Sequence, residues 1–140
     1  MTASLIYDSF ADDLCTGQIV PSTDTYFVML VNGYTPSKTG DTRRSNVTNE
    51  STGAGYTTGG AATTCTVAKN TSTNQETLTF AQVVWTITTS LTATGCVIYK
   101  SRGGAASADN LVAYVDFGGT FTSSNSTFTA QFSTPLTLQS

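Results

Sequence analysis

The amino-acid sequence predicts an all-β fold, a sandwich of jelly-roll or immunoglobulin-like type with about seven to eight strands and a short N-terminal helix. Three observations predict it. Threonine stands repeatedly between apolar residues, as in Thr77-Leu78-Thr79-Phe80 and Thr86-Ile87-Thr88. A β-branched polar residue suits the wet face of a half-buried strand. Only 11% of residues are charged, which leaves little for helix surfaces. Turn signals recur between short apolar runs along the second half of the chain.

Residues 1–17 read as the helix. Ile6, Phe10 and Leu14 recur at i, i+4, i+8 with Leu5 alongside, so one stripe is apolar. Thr2 or Ser4 is placed to cap its start and Gly17 to stop it, and Asp8, Asp12 and Asp13 lie largely off the stripe. Residues 24–32 form the strongest strand. Its centre, Tyr26-Phe27-Val28-Met29-Leu30-Val31, is apolar without a break, which suits a strand covered on both faces, for instance by the helix and by a second sheet. Asn32-Gly33 signals a turn. Residues 34–60 are polar and lack alternation, with a single helical turn expected, capped by Asp41 or Thr42. A loop of this length in a domain is often functional, and contact between subunits is the expected role, through Arg43, Arg44, Asn46 and Tyr56.

Residues 61–140 carry the sandwich strands. Ala61 to Ala68 is Thr-rich, and residues 69–74 make a hairpin loop. Glu76 to Phe80 turns Leu78 and Phe80 inward. Gln82 to Thr89 turns Val83, Trp85 and Ile87 inward, with Trp85 the core anchor. Thr94-Gly95 then reads as a turn into Cys96 to Lys100. Leu111 to Phe117 is broken by Gly118-Gly119, Ser126 to Phe132 puts Phe128, Ala130 and Phe132 on one face, and Pro135 opens a tail.

At 140 residues, the chain is expected to be a single domain with a core that needs no staples. A net charge of −3 with one adjacent basic pair, Arg43-Arg44, argues against a nucleic-acid surface. The opening MTASLIYDSF lacks the basic and apolar regions of a secretory signal, and no stretch has the length of a membrane span. With no histidine, Ser-His-Asp and Cys-His catalysis and His-based zinc sites are excluded.

Cys15, Cys65 and Cys96 have no metal-ligand spacing and read as small apolar residues, with a Cys65–Cys96 bridge left open. Asp109 with Asp116, or Asp12 with Asp13, are carboxylate pairs to weigh for glycosidase work, and solvated loop ends explain them better. Asp8, Asp12, Asp13 and Asp24 match no EF-hand spacing. No cofactor or metal is expected. Asn-x-Ser/Thr at Asn46, Asn49, Asn70 and Asn125 is expected by chance in so Thr-rich a chain.

Two segments resemble a known group. One runs from Asp24-Thr25-Tyr26-Phe27-Val28-Met29-Leu30 through Tyr34-Thr35-Pro36-Ser37-Lys38 and Arg43-Arg44-Ser45-Asn46-Val47-Thr48-Asn49-Glu50 to Gly53-Ala54-Gly55-Tyr56-Thr57-Thr58-Gly59-Gly60. The other is Val97-Ile98-Tyr99-Lys100 with Leu111-Val112-Ala113-Tyr114-Val115-Asp116-Phe117-Gly118-Gly119. With the leading helix, they resemble small virion structural proteins of tailed bacteriophages. The resemblance implies a non-enzymatic particle component, found in the virion and assembled in the bacterial cytoplasm.

The expected role is capsid decoration (cement) outside the head. The expected partners are the major capsid protein or other virion subunits, with the chain itself a dimer or trimer and neither nucleic acid nor membrane involved. A tail, collar or fibre-attachment subunit fits the same features. A carbohydrate- or receptor-binding module is a third reading, which needs Tyr34, Tyr56 and the loop near Asn110 to be exposed for stacking.

Overall fold

Tyr26–Val31 forms β2, and its unbroken apolar run decides where the layers lie. Successive strand residues point to opposite faces, so each face of β2 needs a cover. Tyr26, Val28 and Leu30 enter one core; Met29 and Val31 enter another. The structure is a computed structural model that describes residues 5–132 and 134–139.

The described residues form eight strands, all antiparallel, in two sheets. The larger sheet runs β1 (Leu5–Ile6), β7 (Asn110–Ala130), β6 (Val83–Lys100), β2, β3 (Ala61–Thr63). The smaller runs β4 (Cys65–Asn70), β5 (Gln75–Phe80), β8 (Leu136–Gln139). This is the all-β, sandwich-like arrangement that the alternation and turn spacing predict.

The larger core lies on the face of β2, β6 and β7 that meets the small sheet. Leu78 and Phe80 of β5 and Leu136 of β8 share it with Val83, Trp85, Ile87, Phe128 and Ala130. Trp85 is 5% exposed, with its ring 5.8 Å from Tyr56 and 6.4 Å from Phe128. The opposite face of the large sheet buries Tyr7, Tyr34, Val97, Tyr99, Leu111 and Tyr114.

The N-terminal helix does not provide that second cover. Helix α1 (Asp8–Cys15) sends Phe10 into the larger core, where Ile19 follows it. Tyr7 and the segment after β2, through Tyr34 and Val47, close the other face.

The structure departs from expectation elsewhere. The chain ahead of α1 pairs as β1 with β7, and Ile6 is 37% exposed. Thr2 and Ser4, the expected caps, lie outside the described residues; the observed N-cap is Tyr7, without a side-chain cap. Asp13 is buried. Residues 61–68 are two strands, because the chain leaves one sheet and joins the other at Thr64. Thr94-Gly95 is not a turn: β6 runs through it. A Cβ at residue 95 would stand 2.7 Å from the Val115 carbonyl oxygen and 2.8 Å from the Tyr114 ring, so glycine there permits close backbone approach within a strand. Gly118-Gly119 does not end β7 but falls where its register against β6 shifts, between Ala93 and Gly95. Residues 136–139 are no tail but β8, paired with β5. All three cysteines are free thiols.

The indole N–H of Trp85 is buried without a hydrogen-bond partner, so the ring acts by volume. Trp85→Ala is expected to cost about 3–5 kcal/mol. Trp85→Phe keeps most contacts, removes an unsatisfied donor, and should cost well under half of that. Urea denaturation of both variants checks this; equal losses would show that the N–H matters.

Candidate functional site

Residues 34–60 are tied down along their length. Asp41 accepts from the Tyr34 hydroxyl at 2.6 Å and from the Ser37 N–H at 2.8 Å. That leaves Tyr7, 3.0 Å from the Tyr34 oxygen, to donate to it. A 3-10 turn follows at Arg44–Asn46, and its cap is not Asp41 or Thr42 as expected. Asn46 Oδ1 accepts from the N–H groups of Thr42 and Arg43 at 3.1 and 3.0 Å. Further on, Ser51 donates to the Thr92 carbonyl at 2.8 Å. Glu50 accepts from the Tyr56 hydroxyl and the Gly59 N–H, while the Tyr56 oxygen accepts from the Leu30 N–H at 3.0 Å.

The glycines of this segment are steric necessities. Gly55 and Gly60 have φ of 99° and 83°. A Cβ at either would fall 1.9 Å from the Thr86 oxygen or 1.8 Å from the Val28 oxygen. The Gly-Tyr-Thr-x-Gly-Gly motif therefore lets the backbone lie flat against β6 and β2, with Tyr56 packed onto Trp85 between the two contacts.

Arg44 sits at the centre of a partly buried polar group. Its Nε donates to Asp109 Oδ2 at 2.7 Å, and its guanidinium lies 5.1 Å from the centre of the Tyr99 ring. Burial works against its charge, but the hydrogen bond to Asp109 and the charges of Tyr99, Asp109 and Glu50 outweigh this and raise its pKa. Asp109 is 1% exposed and also accepts from the Arg102 N–H.

Arg43 lies 3.5 Å from Asp13, which accepts from Asn110 Nδ2 at 2.9 Å. Arg102 donates to Asn110 Oδ1 and to the Gln18 carbonyl. Lys100 joins Gln18 and Asp24. Helix α1, the β6–β7 turn and residues 41–46 are thereby laced together at one end of the large sheet.

Each residue expected at a subunit contact thus has a partner inside the chain: Arg43 with Asp13, Arg44 with Asp109, Asn46 with its own turn, Tyr56 with Glu50. Tyr34 is 5% exposed and Tyr56 is packed on Trp85, so neither ring is a free stacking platform. Asp8, Asp13 and Asp24 each face a separate cation, and among the described residues no cluster of three or more Asp, Glu or Cys gathers to hold a metal.

Asp109 and Asn110 are what sequence reasoning missed, having weighed Asp109 only as a catalytic carboxylate or a solvated loop end. Charge scarcity was the available signal: a buried guanidinium needs a carboxylate, and this chain has nine.

Family models, curated proteins and solved structures were compared with the chain, and none matches. The geometry therefore carries the functional argument together with the sequence resemblance. It offers a loop held in one shape.

Gly60→Ala is expected to destabilise the fold by about 3 kcal/mol or more, since it adds strain at positive φ to a backbone clash; a denaturation midpoint unchanged from the parent would contradict this. Alkaline pH tests the buried tyrosines. Burial pushes Tyr7 and Tyr99 up to about 12, against about 10 in the unfolded chain. Their contribution is complete below pH about 10 and is lost as pH rises towards about 12, because the unfolded chain ionises first. The urea midpoint should fall across that window, and Tyr7→Phe should flatten the fall; a flat profile in the parent would refute it.

Proposed function

We propose that this protein is a non-enzymatic structural subunit of a tailed-bacteriophage particle, a decoration (cement) protein that binds the outside of the head and bridges capsid subunits. The observation that carries the reading is spatial. The two segments that resemble phage virion proteins lie far apart in the sequence but form one continuous structure. Within the two segments β2 pairs with β6 from Met29–Val97 to Tyr26–Lys100; Arg43 bridges to Asn110, and Arg44 holds Asp109. The resemblance thus falls on neighbouring stretches of β2, β6 and β7 in one sheet, together with the loop that packs on both of its faces.

The physics of cement agrees with this arrangement. A subunit that joins neighbours in a closed shell needs many modest contacts acting together. A loop already fixed by hydrogen bonds pays little ordering entropy when it docks. Arg43, Arg44, Asn46 and Tyr56 then serve by shaping the docking surface, since their polar groups are already satisfied within the chain.

The test is the copy number of the chain in purified virions, by quantitative mass spectrometry against the major capsid protein. Cement gives a ratio near one, or a fixed simple fraction of it, and particles lacking the chain burst at lower temperature. A handful of copies per particle overturns the head assignment and moves the protein to the tail or collar. Absence from the particle overturns the virion reading altogether.

A further inference from the structure

We infer that the outer edge of β7 between Phe117 and Ala130 is a docking edge for a second copy of this chain, paired strand to strand about a two-fold axis. β7 is 21 residues long, and β6 pairs along one of its edges over most of that length. On its other edge, among the described residues, it pairs with β1 at Ala113 and Tyr114 and bridges to Arg43 at Asn110. Beyond that, the described residues place no strand against it. A row of unpaired N–H and C=O groups is a template for another strand.

Proteins that remain monomeric blunt such an edge with lysine, proline, an inward-pointing charge or a β-bulge that twists it away. The run FGGTFTSSNSTFTA has no charged residue and no proline. Its two irregularities, the shift around Gly118-Gly119 and the positive φ of 49° at Asn125, bend the strand around a groove of about 480 Å³ lined wholly by β7 residues. Three aromatic rings belong to that groove. Phe117 packs against Phe121 and Phe128 with ring centres 6.3 and 6.1 Å away, and Phe121 is 50% exposed.

Charge selects the occupant. An acidic segment or a nucleic acid finds no cation between Phe117 and Ala130, and a basic segment finds no carboxylate. The matching strand is uncharged, rich in Ser and Thr, and punctuated by phenylalanine, which describes β7 itself. Antiparallel pairing centred between Ser124 and Asn125 sets position 121 of each copy across from position 128 of the other, giving two cross-strand aromatic pairs. The contact uses the same patch on both copies, so it closes at two. This holds for the isolated chain, whether or not the virion reading stands.

Sedimentation of the purified chain at micromolar concentration provides the test. The parent is expected at dimer mass. Ser124 is exposed, so Ser124→Lys and Ser124→Glu should each keep the parent's circular dichroism spectrum. Each alone sets like charges together at the centre of the contact and should weaken dimerisation roughly tenfold or more. Mixing the two should restore dimer mass as a heterodimer, which a merely structural effect of substitution would not do.

A monomeric parent overturns the inference, as does a larger ring or filament, which would indicate a contact between unlike edges. A dimer indifferent to both substitutions, or a mixture that stays monomeric, overturns it equally. So does a monomeric parent whose binding to purified particles is lost on Ser124→Lys, since the edge would then serve a different protein.

Discussion

The antiparallel ladder between β6 and β7 is the constraint on which the rest of the structure depends. It runs from Val83–Ala130 to Lys100–Asn110, and residues from its two faces enter both cores. β2 pairs with one end of β6, and the residues around Gly53 lie against the other end, close to the Ser90 backbone. The ladder is formed across a single connection, residues 101–109, so its first pairs are local and its last are distant. Loop-closure cost grows only slowly with that separation, which lets a hairpin of this length assemble outward from its turn. Register is then held by alternation, since a slip by one residue would turn Trp85 and Ile87 outward and Val84 and Thr86 inward.

The second constraint sits at the turn end of that ladder. A buried ion pair contributes little net stability, because desolvation offsets attraction, yet breaking one leaves a stranded charge at about 3–5 kcal/mol. In the pair of Arg44 and Asp109 only the carboxylate is fully buried, while the Arg44 side chain keeps 19% of its surface exposed, so the loss on breaking it falls below that figure. Their value is in choosing one arrangement: the Arg44 N–H also donates to the Asp109 carbonyl at 2.9 Å, so backbone and side chain agree on where residues 41–46 lie. Asp13 extends the same logic to helix α1 through Asn110. The helix is short and has no side-chain cap, so packing and this polar lacing hold it in place more than helix propensity does.

Legibility in the sequence followed periodicity and failed at glycine. Val83, Trp85 and Ile87 alternate inward, and Leu78 and Phe80 do the same, because a strand with one wet face records its register in every second residue. β2 was legible as a strand covered on both faces, but its second cover was assigned to α1, since the sequence does not tell which segment lies over which face. Gly95 read as a turn and Gly118-Gly119 as a strand break because glycine marks a turn, a break and a close backbone approach alike; the Tyr114 ring and Val115 oxygen that explain Gly95 are known only once β7 is in place. Arg43 and Arg44 stood out as a basic pair in a chain with few charges. Their partners Asp13 and Asp109 did not, because each is separated from its arginine by a stretch no local pattern spans. Residues 61–70 show the same limit: a Thr-rich run looks alike whether it stays in one sheet or crosses at Thr64.

Charge is distributed unevenly along the ladder, and that distribution bears on how the molecule meets others. Arg43, Arg44, Lys100, Arg102, Asp109, Asp13 and Asp24 gather near its turn end, where they bond to one another or to backbone carbonyls. From Val83 to Ala93 and from Phe117 to Ala130 the ladder carries no charge at all. Val84 and the threonines that alternate with the core residues form its outer face. A surface of this kind exerts no long-range steering and is nearly indifferent to salt. Whatever it holds must be held at short range, through backbone hydrogen bonds, hydroxyl groups and the exposed ring of Phe121. Such contacts are weak singly and depend on a rigid template. The charged end supplies rigidity by bonding to itself, and the neutral end of the ladder is held in shape from there.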